Sequence, residues 1–317
     1  MAYQNNNQSF LEYKLITAGS GYLDIDAYAC AVAMAELLRL KGENAFAFSS
    51  APFNYSICDS LIDDGQILRL LPNGVSSENA EYIIVDVSDP DFLKDSVALD
   101  RVVAVYDHHV GFEEYWTSRI GDNAHIEFVG AAATLIYREW KLQQLQDKMS
   151  RTTALLLIAA ILDNTLNLTS SNTTSEDVAV FDELCQRENI TSEWCSAYFS
   201  EVQKNIESDL KNAIFKDIKN IQGNPVLPHR VAQLCVWNAE NIILKLPEIR
   251  ALFCDISDSW MINIIDIKNF CSYFVCDSII HQKKLEYLFD ITFEFGVAKT
   301  KKSYLRKEII KKALSYK

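Results

Sequence analysis

The sequence predicts an α/β protein in two parts: a parallel-sheet βαβ domain over residues 1–188 and a smaller α+β domain over 189–317, with the active site in the cleft between them. Three observations carry this reading. Short apolar runs alternate with helical stretches from Leu11 to about Leu184, the pattern of a parallel sheet built from βαβ units. Two of these runs end abruptly in polar groups: Ile83-Ile84-Val85 in Asp86-Val87-Ser88-Asp89, and Val102-Val103-Ala104-Val105-Tyr106 in Asp107-His108-His109. Strands buried on both faces read as unbroken apolar runs, and open α/β sheets bind ligands beyond the carboxyl ends of their strands. After about Arg187 the alternation gives way to a polar segment, 186–192, and a different mix of elements.

In chain order, Leu15 to Ala18 reads as a strand and Gly19-Ser20-Gly21 as a turn. Asp24-Ile25-Asp26 then opens a helix, Ala27 to Leu40, made almost wholly of Ala, Leu, Val and Met. Ala45 to Phe48 is a second strand. The run Ala154 to Leu162 is long enough and rich enough in Ala and Leu for a buried helix, and it leads into Asp163-Asn164-Thr165-Leu166-Asn167. In the second part, Glu193 to Asn220 reads as one long helix and Ala239 to Cys254 as a helical piece. Val231 to Trp237, Trp260 to Lys268, Cys271 to Cys276 and Leu285 to Phe295 read as strands.

Composition narrows the class. With 317 residues, 49% of them hydrophobic, the chain can bury two cores. Its apolar runs stop short of the ~20 residues a membrane span needs, and the polar start from Met1 to Ser9 lacks the basic and apolar regions of a signal peptide, so a cytoplasmic protein is expected. The eight cysteines include no pair two residues apart, which excludes a zinc knuckle and a redox pair and leaves them as reduced, mostly buried thiols. A net charge of −13 argues against nucleic-acid binding through the whole surface. The segment from Lys299 to Lys317 departs from this, with eight Lys or Arg against the single acid Glu308. It reads either as a solvated helix or as a patch for an anionic ligand such as phosphate.

The carboxylates and imidazoles at these strand and helix ends match the oxygen-rich donor sets, with one or two imidazoles, that hold Mg²⁺ or Mn²⁺. Plainer readings stand beside that one. Asp24 and Asp26 taken alone are helix N-caps, Asp89 before Pro90 is a turn residue, and Lys216 is a solvated helix residue. His125, His229 and His281 have no metal-type spacing, although His125, between the Asp-His-His turn and the next helix, is placed to add an imidazole.

Together, Asp24-Ile25-Asp26, Asp86-Val87-Ser88-Asp89, Asp107-His108-His109 and the Ile161-Leu162-Asp163-Asn164-Thr165 turn resemble the four ordered motifs of the DHH phosphoesterases. The second half resembles the C-terminal domain of family II inorganic pyrophosphatases and exopolyphosphatases, with Asp217-Ile218-Lys219 and Arg306-Lys307 as its phosphate-binding pieces. That resemblance implies two Mn²⁺ or Mg²⁺ ions. Asp24 would hold the first, Asp26 and His108 the second, and Asp86 would bridge both, with Asp163 or Asn164 as a further ligand of the second ion. His109, Lys219, Arg306 and Lys307 would meet substrate phosphate, and Asp107 would orient His108 or His109. The catalytic set is then Asp86, His109, Lys219 and Arg306.

Two positions depart from the family pattern. Ser20 stands where the family places a His, four residues before the first Asp; the first ion would then have an oxygen-only shell of Asp24, Asp86 and water, which favours Mg²⁺. Asn164 stands where a carboxylate normally precedes the Thr. The expected function is hydrolysis of a phosphoanhydride, inorganic pyrophosphate or short polyphosphate, by a metal-activated water. The alternatives are a phosphate-ligand sensor or scaffold built on a weakened site, and a phosphoesterase acting on a small nucleotide. The resemblance also implies a homodimer; the apolar runs argue against a membrane partner, and the acidic charge with the pyrophosphatase-like second half against nucleic acid.

Overall fold

The computed structural model describes residues 13–21, 23–63, 65–71, 75–76, 79–253 and 259–315. Met1 to Ser9, Cys254 and Lys317 lie outside them. The chain divides into two units, one of residues 1–164 with 172–189, the other of residues 165–171 with 190–317. The seven residues after Asn164 thus group with the second unit, a short excursion that no composition shift marks.

The first unit is a five-stranded sheet of β1 (Tyr13–Thr17), β2 (Asn44–Ala47), β3 (Ala80–Val85), β4 (Val102–Asp107) and β5 (Ala124–Ile126), all parallel, in the order β2-β1-β3-β4-β5. This order reverses direction between β1 and β3, and the crevice at such a switch point is where doubly wound sheets bind ligands. Its helices are α1 (Ile25–Leu40), α2 (Pro90–Leu93), α3 (Glu113–Ile120), α4 (Ala132–Leu142), α5 (Arg151–Asn164) and α6 (Ser175–Glu188). In α1 almost every residue is buried, as in α5 from Thr153 to Leu162, because these helices are apolar all round and pack against each other. Leu15, Tyr82, Ile84, Val105 and Trp116 belong to a separate core cluster that also takes in Leu93 of α2.

The second unit carries α7 (Ser192–Ser208), α8 (Leu210–Lys216), β6 (Lys219–Asn220), β7 (Arg230–Val236), α9 (Glu240–Leu244), α10 (Leu246–Leu252), β8 (Trp260–Asp266), β9 (Cys271–Val275), α11 (Ile279–Phe289), β10 (Val297–Lys299) and α12 (Arg306–Leu314). Its sheet runs β10-β9-β8-β7-β6, parallel only between β7 and β8. Two expectations are corrected here. The run from Glu193 to Asn220 is not one helix: Asp209 takes φ −142°, ψ 51° between α7 and α8, and Lys219 lies in β6. Leu285 to Phe295 is not a strand: Leu285 and Phe289 fall one helical turn apart and are buried together on α11, which ends at Asp290 in the left-handed conformation. No helix among the described residues is long and apolar enough to cross a membrane.

Candidate metal centre

Asp86 follows β3 directly. Its backbone is left-handed, φ 58°, and its N–H is held by Tyr106 O of β4 at 2.8 Å. Few side chains other than Asn, Asp and Gly accept that conformation readily. Only 7% of the Asp86 side chain is exposed, and its Oδ1 is buried with no hydrogen-bond donor. His108 follows β4 and aims Nε2 at this atom, 3.3 Å away, and at Asp26 Oδ2, 4.0 Å away. Burial first, and then the Asp26 and Asp24 carboxylates, push the Asp86 carboxyl well above its usual range. Burial likewise raises the Asp26 carboxyl. Concentrated like charge without a compensating donor makes such a place expensive, and a cation relieves that cost.

Asp24 caps α1, its Oδ1 accepting from Ala27 N at 3.0 Å, as the plainer reading holds, and it also lines the pocket described below. Asp26, fully buried, does something the sequence does not reveal. The N-cap residue of α4 is Ala131, which has no side-chain cap to offer, and Asp26 caps that helix from α1: Oδ2 accepts from Ala132 N (2.8 Å) and Oδ1 from Ala133 N (2.9 Å). Cys30 Sγ, one turn on in α1, donates to Oδ1 at 3.4 Å, and Asn164 Nδ2, at the end of α5, donates to Oδ2. Asn164 therefore presents its amide N–H to Asp26. Asp163 sits half-buried on the last turn of α5, and the chain then turns through Leu166, Asn167 and Leu168, all left-handed.

The two imidazoles are held from behind. His108 Nδ1 lies 3.2 Å from Val129 O, and His109 Nδ1 lies 2.9 Å from Asp107 Oδ1, which also accepts from His109 N at 3.0 Å. Asp107 is fully buried; burial alone would raise its carboxyl, but its bonds from His109 outweigh that and hold it below its usual range. The hydrogen bond to Asp107 raises the His109 imidazole in turn. Asp107 thus orients His109 and not His108. One oxygen of Asp86 and one nitrogen of each ring lie within 4.8 Å of one another. Ser20 is exposed on its turn, and His125 stacks on Tyr106 at 4.6 Å, outside that cluster.

A pocket of about 250 Å³ opens beside Asp86. Asp24, Asp86, Ser88, Asp89 and His109 supply its polar lining, and Phe92, Val110 and Phe112 much of its apolar wall. Phe92 lies against the Gly19–Gly21 turn so closely that a Cβ at Gly21 would meet its ring at 2.3 Å. A side chain at Gly21 would need the partly exposed Phe92 ring to move, a close approach the sequence shows only as a turn.

In the second unit, Asp217, Lys219 and Arg306 gather about β7, and Lys307 follows Arg306 on α12. Both terminal nitrogens of Arg306 bind the Asp217 carboxylate; its Nη1 also reaches Asp217 O at 2.6 Å, and Asp217 Oδ2 accepts from Gln233 N at 2.8 Å. Arg306 N donates to Gln233 Oε1 at 2.6 Å. In this structure the Arg306 guanidinium is held by Asp217, whereas Lys219 and Lys307 are exposed. Part of the basic tail is also structural, since Lys302 and Lys312 lie over the Tyr304 ring.

No family model matches the chain. It is 25% identical over 251 residues, 75% of its length and 76% of the relative's, to a Listeria innocua protein named as a manganese-dependent inorganic pyrophosphatase. Among solved structures, a Methanococcus jannaschii protein described as a family II inorganic pyrophosphatase superposes with a TM-score of 0.62 at 19% identity, over 95% of this chain and 98% of that one. An exopolyphosphatase-related protein from Bacteroides fragilis gives 0.52 at 12% identity, over 95% and 90%. The likeness to both structures is one of fold, and it spans both units.

Proposed function

We infer that this chain is a divalent-cation-dependent phosphohydrolase that cleaves a phosphoanhydride, inorganic pyrophosphate or short polyphosphate, with Mn²⁺ the favoured ion and Mg²⁺ the alternative. The observation that carries it is Asp86: a buried carboxylate oxygen with no donor, faced by an imidazole nitrogen, at the switch point of a parallel sheet. Carboxylate oxygen with imidazole nitrogen suits Mn²⁺, and the names of the sequence relatives agree. Asp86 and His108 would hold such an ion, with Asp24 and Asp26 beside them. When bound, it supplies charge neutralisation at phosphate oxygens and activation of water.

The chain's own groups do the rest. The left-handed turn at Asp86 aims the carboxylate, Val129 O and Asp107 fix the two rings, and the pocket beside Asp86 admits the substrate. Lys219 and Lys307 offer point charges for phosphate, and Arg306 positions Asp217 and the strand that carries Lys219. The aromatic wall made by Phe92 and Phe112 favours a second substrate class, a small nucleotide, and a substrate panel decides between them.

The test is phosphate release by metal-stripped protein re-supplied with Mn²⁺ or Mg²⁺, on pyrophosphate, tripolyphosphate and a nucleotide panel. Turnover is expected with Mn²⁺, and Asp86→Asn should lower it by about a thousandfold, some 4 kcal/mol of transition-state stabilisation. Equal turnover by Asp86→Asn defeats the reading. Stabilisation by phosphate compounds without turnover identifies a sensor instead.

A further inference from the structure

Asp26 and Asp86 face the same imidazole but differ in what they have left to give. A carboxylate offers about four lone-pair directions. At Asp26 they are met by Ala132 N, Asn164 Nδ2, Ala133 N and Cys30 Sγ, whereas Asp86 Oδ1 accepts no hydrogen bond and faces only the His108 Nε2 at 3.3 Å. A cation drawn toward Asp26 would have to displace the Asn164 amide; one drawn toward Asp86 displaces no donor from Oδ1.

His109 has a nitrogen within 4.8 Å of both an Asp86 oxygen and a His108 nitrogen. Its Nδ1 is tied to the buried Asp107, as that of His108 is tied to Val129 O, and a carboxylate or carbonyl behind the ring is how proteins set the tautomer of a metal-binding histidine and leave Nε2 free to ligate. The His109 side chain is 65% exposed, so its ring is accessible from solvent. The Asp86–His108 separation of 3.3 Å is close to the roughly 3.1 Å between two donors each about 2.2 Å from one ion at a right angle.

We propose that His109 is a metal ligand, completing a one-carboxylate, two-imidazole set with Asp86 and His108, while Asp26 serves as a structural cap of α4. Such a set selects Mn²⁺, Co²⁺ and related first-row ions over Mg²⁺, the reverse of the preference that an oxygen-only shell around Asp24 and Asp86 would impose. This assignment rests on the proposed function only in taking the site to hold a divalent cation.

The experiment is Mn²⁺ titration of the metal-stripped full chain by calorimetry, with pulsed EPR of the Mn²⁺-loaded protein to count coupled imidazole nitrogens, for wild type, His109→Gln and, as a surface control, Lys94→Gln. The wild type and the control should show two coupled imidazoles. His109→Gln should show one and bind Mn²⁺ at least about tenfold more weakly. One coupled imidazole in the wild type, or unchanged affinity in His109→Gln with only a raised KM for pyrophosphate, makes His109 a phosphate contact and overturns the assignment alone. No Mn²⁺ binding by the wild type overturns it together with the proposed function.

Discussion

Asp86 in the first unit and Asp217 in the second are both carboxylates set beside a basic group, yet one is left open and the other is closed. Asp217 meets a bidentate guanidinium and a backbone amide, and the Arg306 side chain is only 15% exposed. Asp86 has a buried oxygen with no donor and three like-charged neighbours, Asp26, Asp24 and Asp107, that raise its carboxyl further. A closed pair holds a fold together, whereas an open one costs stability and persists where something outside the chain completes it. Charge alone does not separate the two cases; the account of hydrogen-bond donors does.

The largest expected effect on stability tests the open pair. Mn²⁺ added to metal-stripped protein at a hundred times its Kd should stabilise it by about 2.7 kcal/mol. The sign with pH follows from the carboxyls. Burial raises Asp86 and Asp26 in the folded state, so their contribution is most favourable in acid and is lost as pH rises through those raised values. The cation offsets that loss, so its effect on the melting temperature should be larger at pH 7.5 than at pH 5. It should also shrink sharply in Asp86→Asn. A shift independent of both pH and Asp86 would place the ion elsewhere.

The closed pair predicts the opposite behaviour. Arg306→Ala should cost about 2 kcal/mol in urea unfolding, less than a fully buried pair because Asp217 is 38% exposed, with Arg306→Lys recovering only part of it. Unchanged stability with a raised KM would make Arg306 a substrate contact after all. The smallest effect sharpens the contrast within one cluster. Lys219→Ala or Lys307→Ala should leave stability within about 0.5 kcal/mol and raise KM for pyrophosphate roughly fivefold, about 1 kcal/mol, at constant kcat.

Much of this was legible in the chain. The apolar runs before Asp86 and Asp107 identify β3 and β4, and the Asp24–Leu40 segment identifies α1 with its cap, because local patterning carries those elements. What was not legible is what depends on residues far apart in sequence. Asn164 meets Asp26 across 138 positions and Ala132 meets it across 106, so nothing local separates Asp26 as a helix cap from Asp26 as a ligand. Arg306 and Asp217 are 89 positions apart, and nothing local in either segment shows that the guanidinium meets this carboxylate. The segment around α11 misleads for a different reason: its Tyr287, Leu288 and Phe289 favour a strand locally, and the packing of Leu285 and Phe289 into the core decides for a helix. Cys30 was an available signal, since it lies four residues after Asp26 on the same helix face.

The left-handed backbone at Asp86 has a consequence for how this protein can change over generations. Position 86 passes two filters, one for handedness and one for charge. Asn and Gly pass the first and fail the second, while Glu keeps the charge and resists the turn. A single replacement can therefore remove the buried charge and leave the sheet, the crevice and the second unit as they are. Descendants that still fold but lack this charge are within one mutational step, whereas descendants that keep the charge on a different residue at this turn are not.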